Sequence, residues 1–96
     1  MILRLWRGWT TPDNADAYER LIASTIFPGI ASRKIAGLES LELFRRACDG
    51  EVEFATVMRF ASWEAVKVFA GPDWEVSVVP PPARAVLSRF DARATH

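Results

Sequence analysis

His96 is the only histidine of this 96-residue chain and the only side chain that titrates near neutrality without help, so it is the ready-made general base. As the last residue it is equally suited to be a frayed end. Arg7 stands as a lone cation on a strand face with Leu3, Leu5 and Trp9. If that face meets the helices, Arg7 projects into a pocket and stabilises a phenolate or enolate. Otherwise it sits at a strand end and pairs with a carboxylate such as Asp13 or Glu64. Tyr18 faces inward on the first helix, where its hydroxyl donates either to a bound oxyanion or to a backbone carbonyl. Arg7, Tyr18 and His96 are therefore the catalytic candidates. Trp9, Trp63, Phe69 and Trp74 are the candidate lining for an aromatic substrate, with plain core packing as the alternative.

Several chemistries are excluded by what these residues lack around them. One His, one Cys and scattered carboxylates form no metal shell of recognisable spacing. Glycine-rich phosphate loops and a nucleophile elbow are absent. Cys48 has no partner for an intramolecular disulfide, which fits a reducing cytosol, and beside a tight turn it is an incidental thiol. Twelve basic and twelve acidic side chains cancel, removing the electrostatic footprint needed for nucleic acid or an anionic membrane. No apolar run approaches the roughly 20 residues of a spanning helix, and charges interrupt the apolar start Met-Ile-Leu-Arg-Leu-Trp-Arg, so it is no secretory signal. The expectation is one soluble, unanchored, cytoplasmic domain over residues 1–96.

The elements that must position the candidates follow from periodicity. Residues 2 to 10 alternate, with a Trp on each face, as a strand between two packed layers would. Thr11 and Pro12 begin a helix, with Thr11 as N-cap acceptor and Asp13 at the positive end of the dipole. Tyr18, Leu21, Ile22, Thr25 and Ile26 form its inner face, and Phe27-Pro28-Gly29 ends it. Residues 29 to 38 read as a loop. Glu39–Ala47 and Glu51–Phe60 flank an Asp49-Gly50 turn, a strong hairpin signal. Ser62 caps a short helix that runs to Ala70 and stops at Gly71-Pro72. Asp73–Val79 suits a helical turn or a strand. Pro80-Pro81-Pro82 breaks what precedes it, and a strand over Ala85–Phe90 follows, with a further extended piece from Ala92.

Strand, helix, strand, strand, helix, strand is the order of an α+β, ferredoxin-like split βαβ protomer with a four-stranded antiparallel sheet and both helices on one face. A fold of this size buries only about 60 to 65 % of its unfolded surface. Four Trp and six Phe are generous for such a core, so the open sheet face calls for a cover.

Ile2–Thr10, Asp16-Ala17-Tyr18, Asp49–Phe54, Ser62-Trp63-Glu64-Ala65, Phe69-Ala70-Gly71 and Arg93–His96 together resemble the antibiotic biosynthesis monooxygenase superfamily over nearly the whole chain. The resemblance implies a homodimer through the sheet faces, an α+β barrel, with a pocket between sheet and helices in each protomer. It also implies oxygenation of a small aromatic or polyketide-like substrate without metal or flavin, so no cofactor is expected. Trp63 matches a Trp frequent in the family and would form a pocket wall. A His like His96 opens a further short strand in relatives, so this chain stops early against that pattern. Haem-degrading relatives carry an Asn near the position of Arg7 and an axial His in the segment matching Phe69-Ala70-Gly71; their absence argues against haem. The alternative function is a non-catalytic small-molecule-binding or structural dimer.

Overall fold

The computed structural model describes residues 1–96. Its sheet contains β1 (Ile2–Thr10), β2 (Leu38–Cys48), β3 (Glu51–Phe60) and β4 (Arg89–Phe90), in the spatial order β2-β3-β1-β4. Every neighbouring pair is antiparallel. This is an α+β architecture compatible with the ferredoxin-like arrangement. The β2–β3 hairpin turns at Asp49 and Gly50, both at positive φ (47° and 80°), the backbone that a two-residue turn matched to strand twist requires.

Register decides which face is the core. Ile2 lies opposite Phe60, Arg4 opposite Met58, Trp6 opposite Thr56 and Gly8 opposite Phe54. The even-numbered residues of β1 therefore share a face with the apolar side of β3. On that face Tyr18 and Ile22 pack with Val52, Phe54, Val79 and Ala83, while Ile35, Ala65 and Val66 pack with Met58 and Phe60. Fully burying each large side chain stabilises the fold by about 1.5–3 kcal/mol. Gly8 is needed here, because a Cβ at that position would stand 2.9 Å from Leu87 Cδ2.

The first helix differs from its sequence reading. It comprises α1 (Pro12–Leu21), a π-helical turn (Ile22–Ile26) and α2 (Phe27–Ser32), running through Pro28-Gly29 without ending there. The Phe27 N–H bonds the carbonyl of Ile22, five residues back. The widened turn lets the chain pass Pro28, which has no N–H to donate. The irregular connection shrinks to 33–37. At the helix start the Thr11 side chain makes no cap; the Asn14 N–H bonds the Thr11 carbonyl at 3.1 Å instead. Ser62 does cap α3 (Trp63–Ala70), accepting from the Ala65 N–H, and Gly71 ends it at φ 89°.

The triple proline is the second correction. Pro80 caps, and Pro81 and Pro82 open, a helix α4 (Pro81–Val86). Prolines suit a first turn, whose N–H groups have no intrahelical acceptor. The helix takes Ala85 and Val86 from the segment read as a strand over Ala85–Phe90, and Leu87 and Ser88 are irregular, leaving β4 two residues long. Segment 73–79 is neither element; it is tied by a turn at Asp73 and by a single bridge, Val76 to Arg93. The extended piece after Ala92 is present as the bridge of Thr95 to Leu5.

The far side of the sheet mixes apolar and charged groups. Leu3 (45 % exposed) and Phe44 (54 %) stand uncovered. Between them run the ion pairs Arg7–Glu53, Arg46–Glu53 and Arg59–Glu42. No helix is long and apolar enough to cross a membrane.

Candidate functional site

Between the sheet and the helix layer lies a cavity of about 50 Å³, walled by β1 (Arg4, Trp6), α1 with its π turn (Tyr18, Ile22), Phe69 of α3 and Val79 before α4. It continues through Ile26, Ile30, Phe69, Val78 and Pro80 into an open vestibule of about 250 Å³. A single water needs about 10–15 Å³ of such space, so the inner chamber takes a few non-hydrogen atoms and the vestibule a larger apolar body. The π turn contributes directly, since Ile22 and Ile26 both line the chamber and Thr25 and Ile26 line the vestibule.

Two polar side chains distinguish this cavity from ordinary core. Tyr18 is 1 % exposed and its ring meets Phe54 edge-on at 4.7 Å. Its hydroxyl makes no hydrogen bond within the protein and keeps a little surface open to the cavity, and burial of the ring pushes its pKa up to about 12. Arg4 is 3 % exposed and has no carboxylate partner. One Nη1 proton reaches the Trp74 carbonyl, the other the His96 ring at 3.0 Å, and one Nη2 proton reaches the Val76 carbonyl at 3.3 Å. Guanidinium has five N–H donors, which leaves Nε–H and one Nη2–H without an acceptor. Burial lowers the Arg4 pKa from its usual value. Trp6, by contrast, is fully engaged: its indole N–H serves Ser77 Oγ at 2.9 Å and the Asp91 carbonyl at 2.8 Å.

Of the sequence candidates, Tyr18 and Phe69 line the cavity and the others do not. Arg7 lies on the opposite sheet face, 46 % exposed at its side chain, pairing with Asp91 and Glu53. The carboxylates differ from the Asp13 or Glu64 that the sequence suggested. Trp9 is on that far face too, with the Arg7 and Arg89 guanidinium groups 5.2 and 3.9 Å from its ring. Trp63, Trp74 and His96 form an aromatic cluster behind Arg4, with Trp63 5.9 Å from Trp74 and 5.6 Å from His96. His96 is thus seated rather than frayed. Because Arg4 can only donate, His96 Nε2 accepts and the ring proton sits on Nδ1. Its pKa falls below the usual histidine value, first through burial and then through the Arg4 charge, with Glu75 acting in the opposite sense.

Arg4 is the residue that sequence reasoning missed. No group of His, Cys, Asp and Glu is placed to hold a metal ion. No protein-family model, curated protein or solved structure matches this chain.

Proposed function

We propose that this protein binds a small apolar molecule bearing a hydrogen-bonding oxygen, held in the cavity between the sheet and α1, α2 and α3. The observation that carries this reading is the Tyr18 hydroxyl, which opens onto a mostly apolar chamber and makes no hydrogen bond within the protein. A ligand oxygen placed there gains a hydrogen bond worth about 0.5–1.5 kcal/mol. Calorimetric titration with phenol, 1-butanol and butyramide tests it: at least one binds the native chain with sub-millimolar to millimolar Kd and is displaced by another. No heat and no displacement for any of them would end this reading.

Cofactor-independent oxygenation, which the resemblance to the antibiotic biosynthesis monooxygenases suggests, is the second reading, and the Arg4 guanidinium on the wall favours it. There it would stabilise an enolate or phenolate while the substrate carbanion reduces oxygen. A methylene would become a carbonyl, with one oxygen atom retained and the other leaving as water. That route needs a proton acceptor, and Arg4 and Tyr18 are the only titratable groups lining the chamber. With a pKa of about 12, Tyr18 is protonated at neutral pH. Binding is therefore the better-supported function. Oxygen uptake with a phenol or anthrone-type substrate would restore the enzymatic reading. On the other sheet face, exposed Leu3 and Phe44 support a second copy of the chain as a partner.

A further inference from the structure

The charge of Arg4 sharpens the ligand's chemistry. Of the ion pairs in the fold, six arginines take part: Arg7, Arg45, Arg46, Arg59, Arg89 and Arg93. Arg4 is the most buried arginine, yet it takes part in none, and its acceptors are two neutral carbonyls and a neutral imidazole. A buried cation without a counter-ion is strongly disfavoured, far beyond the cost of an unpaired hydroxyl. The nearby carboxylates do not relieve it, because Asp73 and Glu75 both pair with Arg93.

The surroundings reinforce the sign. Arg33, which lines the vestibule, stacks on the same Phe69 ring as Arg4, at 5.7 and 5.4 Å, and spends its donors on the Val68 and Phe69 carbonyls. In a chain of zero net charge, two cations without anionic partners, Arg4 and Arg33, line the chamber and its vestibule.

We infer that the cavity takes a small apolar carboxylate, its anionic head on the free Nε–H and Nη2–H of Arg4 and on the Tyr18 hydroxyl, its apolar body toward Ile26, Ile30 and Val78. The inference rests on the binding function proposed above and adds the charge. Two parallel N–H donors match a carboxylate bidentately, and the phenol adds a third. The inner chamber admits a head group and a few carbons, and the vestibule extends the range to an aryl or short alkyl body.

The test compares butyrate and benzoate with butyramide and benzamide, which keep shape and lose charge, by calorimetry on the native chain at pH 7.5. Each carboxylate is expected to bind at least about tenfold tighter than its amide. Tyr18→Phe should weaken the carboxylates about threefold to tenfold, and Arg4→Gln should abolish the preference for carboxylate over amide. If Arg4→Gln does not fold, the native chain still decides, because the Arg4 Nε–H resonance moves downfield with butyrate and stays with butyramide. Equal affinity for acid and amide would overturn the anionic ligand and leave the binding function standing. Amides binding better than acids would do the same, and no binding by any of the four would remove the anionic ligand, with phenol and 1-butanol then deciding whether the binding function stands.

Discussion

Tyr18→Phe deletes one oxygen atom and keeps the ring that stands edge-on to Phe54 at 4.7 Å. In an ordinary core this change removes a hydrogen bond and destabilises the fold by about 0.5–1.5 kcal/mol. Here the hydroxyl bonds nothing in the protein, and burial alone raises its pKa from 10 to about 12. Such a shift corresponds to about 2–3 kcal/mol of discrimination against the phenolate. Because the oxygen bonds nothing in the fold and faces the cavity, removing it leaves the unliganded fold as stable as before, or up to about 1 kcal/mol more stable. For a chain of this length, 1 kcal/mol moves Tm by about 4–8 °C. Urea denaturation followed by tryptophan fluorescence, with scanning calorimetry alongside, measures the difference. A variant that is neutral or stabilised without ligand but weakened in binding has the signature of a site that trades stability for recognition. A loss of 1 kcal/mol or more in the unliganded protein would refute the reasoning, because it would show that the hydroxyl has a partner within the fold.

The single Tyr permits a direct titration: tyrosinate absorbance should appear near pH 12 rather than pH 10 in the folded chain. Because the folded value is raised, this stabilisation is complete below pH 10 and is lost as pH climbs toward about 12, so unfolding and ionisation should rise together in that window. His96 has the opposite linkage. Its folded pKa lies below 6.5, so its contribution is present above pH 6.5 and is lost as pH falls through the folded value; nitrogen-15 imidazole spectra should show an Nδ1–H tautomer at neutral pH and a depressed midpoint. Thr10 Oγ1, unlike the cavity-facing Tyr18 oxygen, is fully buried without a partner, so Thr10→Val should leave chemical stability unchanged or raise it by up to about 1 kcal/mol in urea melts. Ser62→Ala, which removes a formed cap, should cost about 1 kcal/mol in the same assay.

Much of the fold was legible because its signals are local. Alternation gave β1, the Asp49-Gly50 pair gave the hairpin with its two arms, and Ser62 and Gly71 bracketed α3. The misreadings share a cause: proline has more than one use. Pro28 normally stops a helix, but a π turn upstream absorbs its missing N–H. Pro81 and Pro82 break a strand but begin a helix equally well. The site was half legible. Tyr18 and Phe69 stand out in the sequence, whereas Arg7 stands out over Arg4 as a lone cation among Leu3, Leu5 and Trp9, and the Trp on each face of β1 leaves the apolar pattern ambiguous. Register supplies the answer: Phe60 lies opposite Ile2 and Phe54 opposite Gly8, so the apolar face of β3 takes the even residues of β1 inward, and Arg4 with them. Gly8 was the available clue, since a glycine in mid-strand marks a face approached closely by another element, here by Leu87.

The central claim is that the space beside Tyr18 and Arg4 is a binding site. Isoleucine δ-methyl spectra recorded during a titration with butyrate test it directly, because Ile22, Ile26 and Ile30 line the cavity while Ile2 and Ile35 do not. The account predicts saturable shifts of the first three methyls, with the other two unmoved. Shifts spread evenly over all five, or none at millimolar butyrate and butyramide alike, would contradict it.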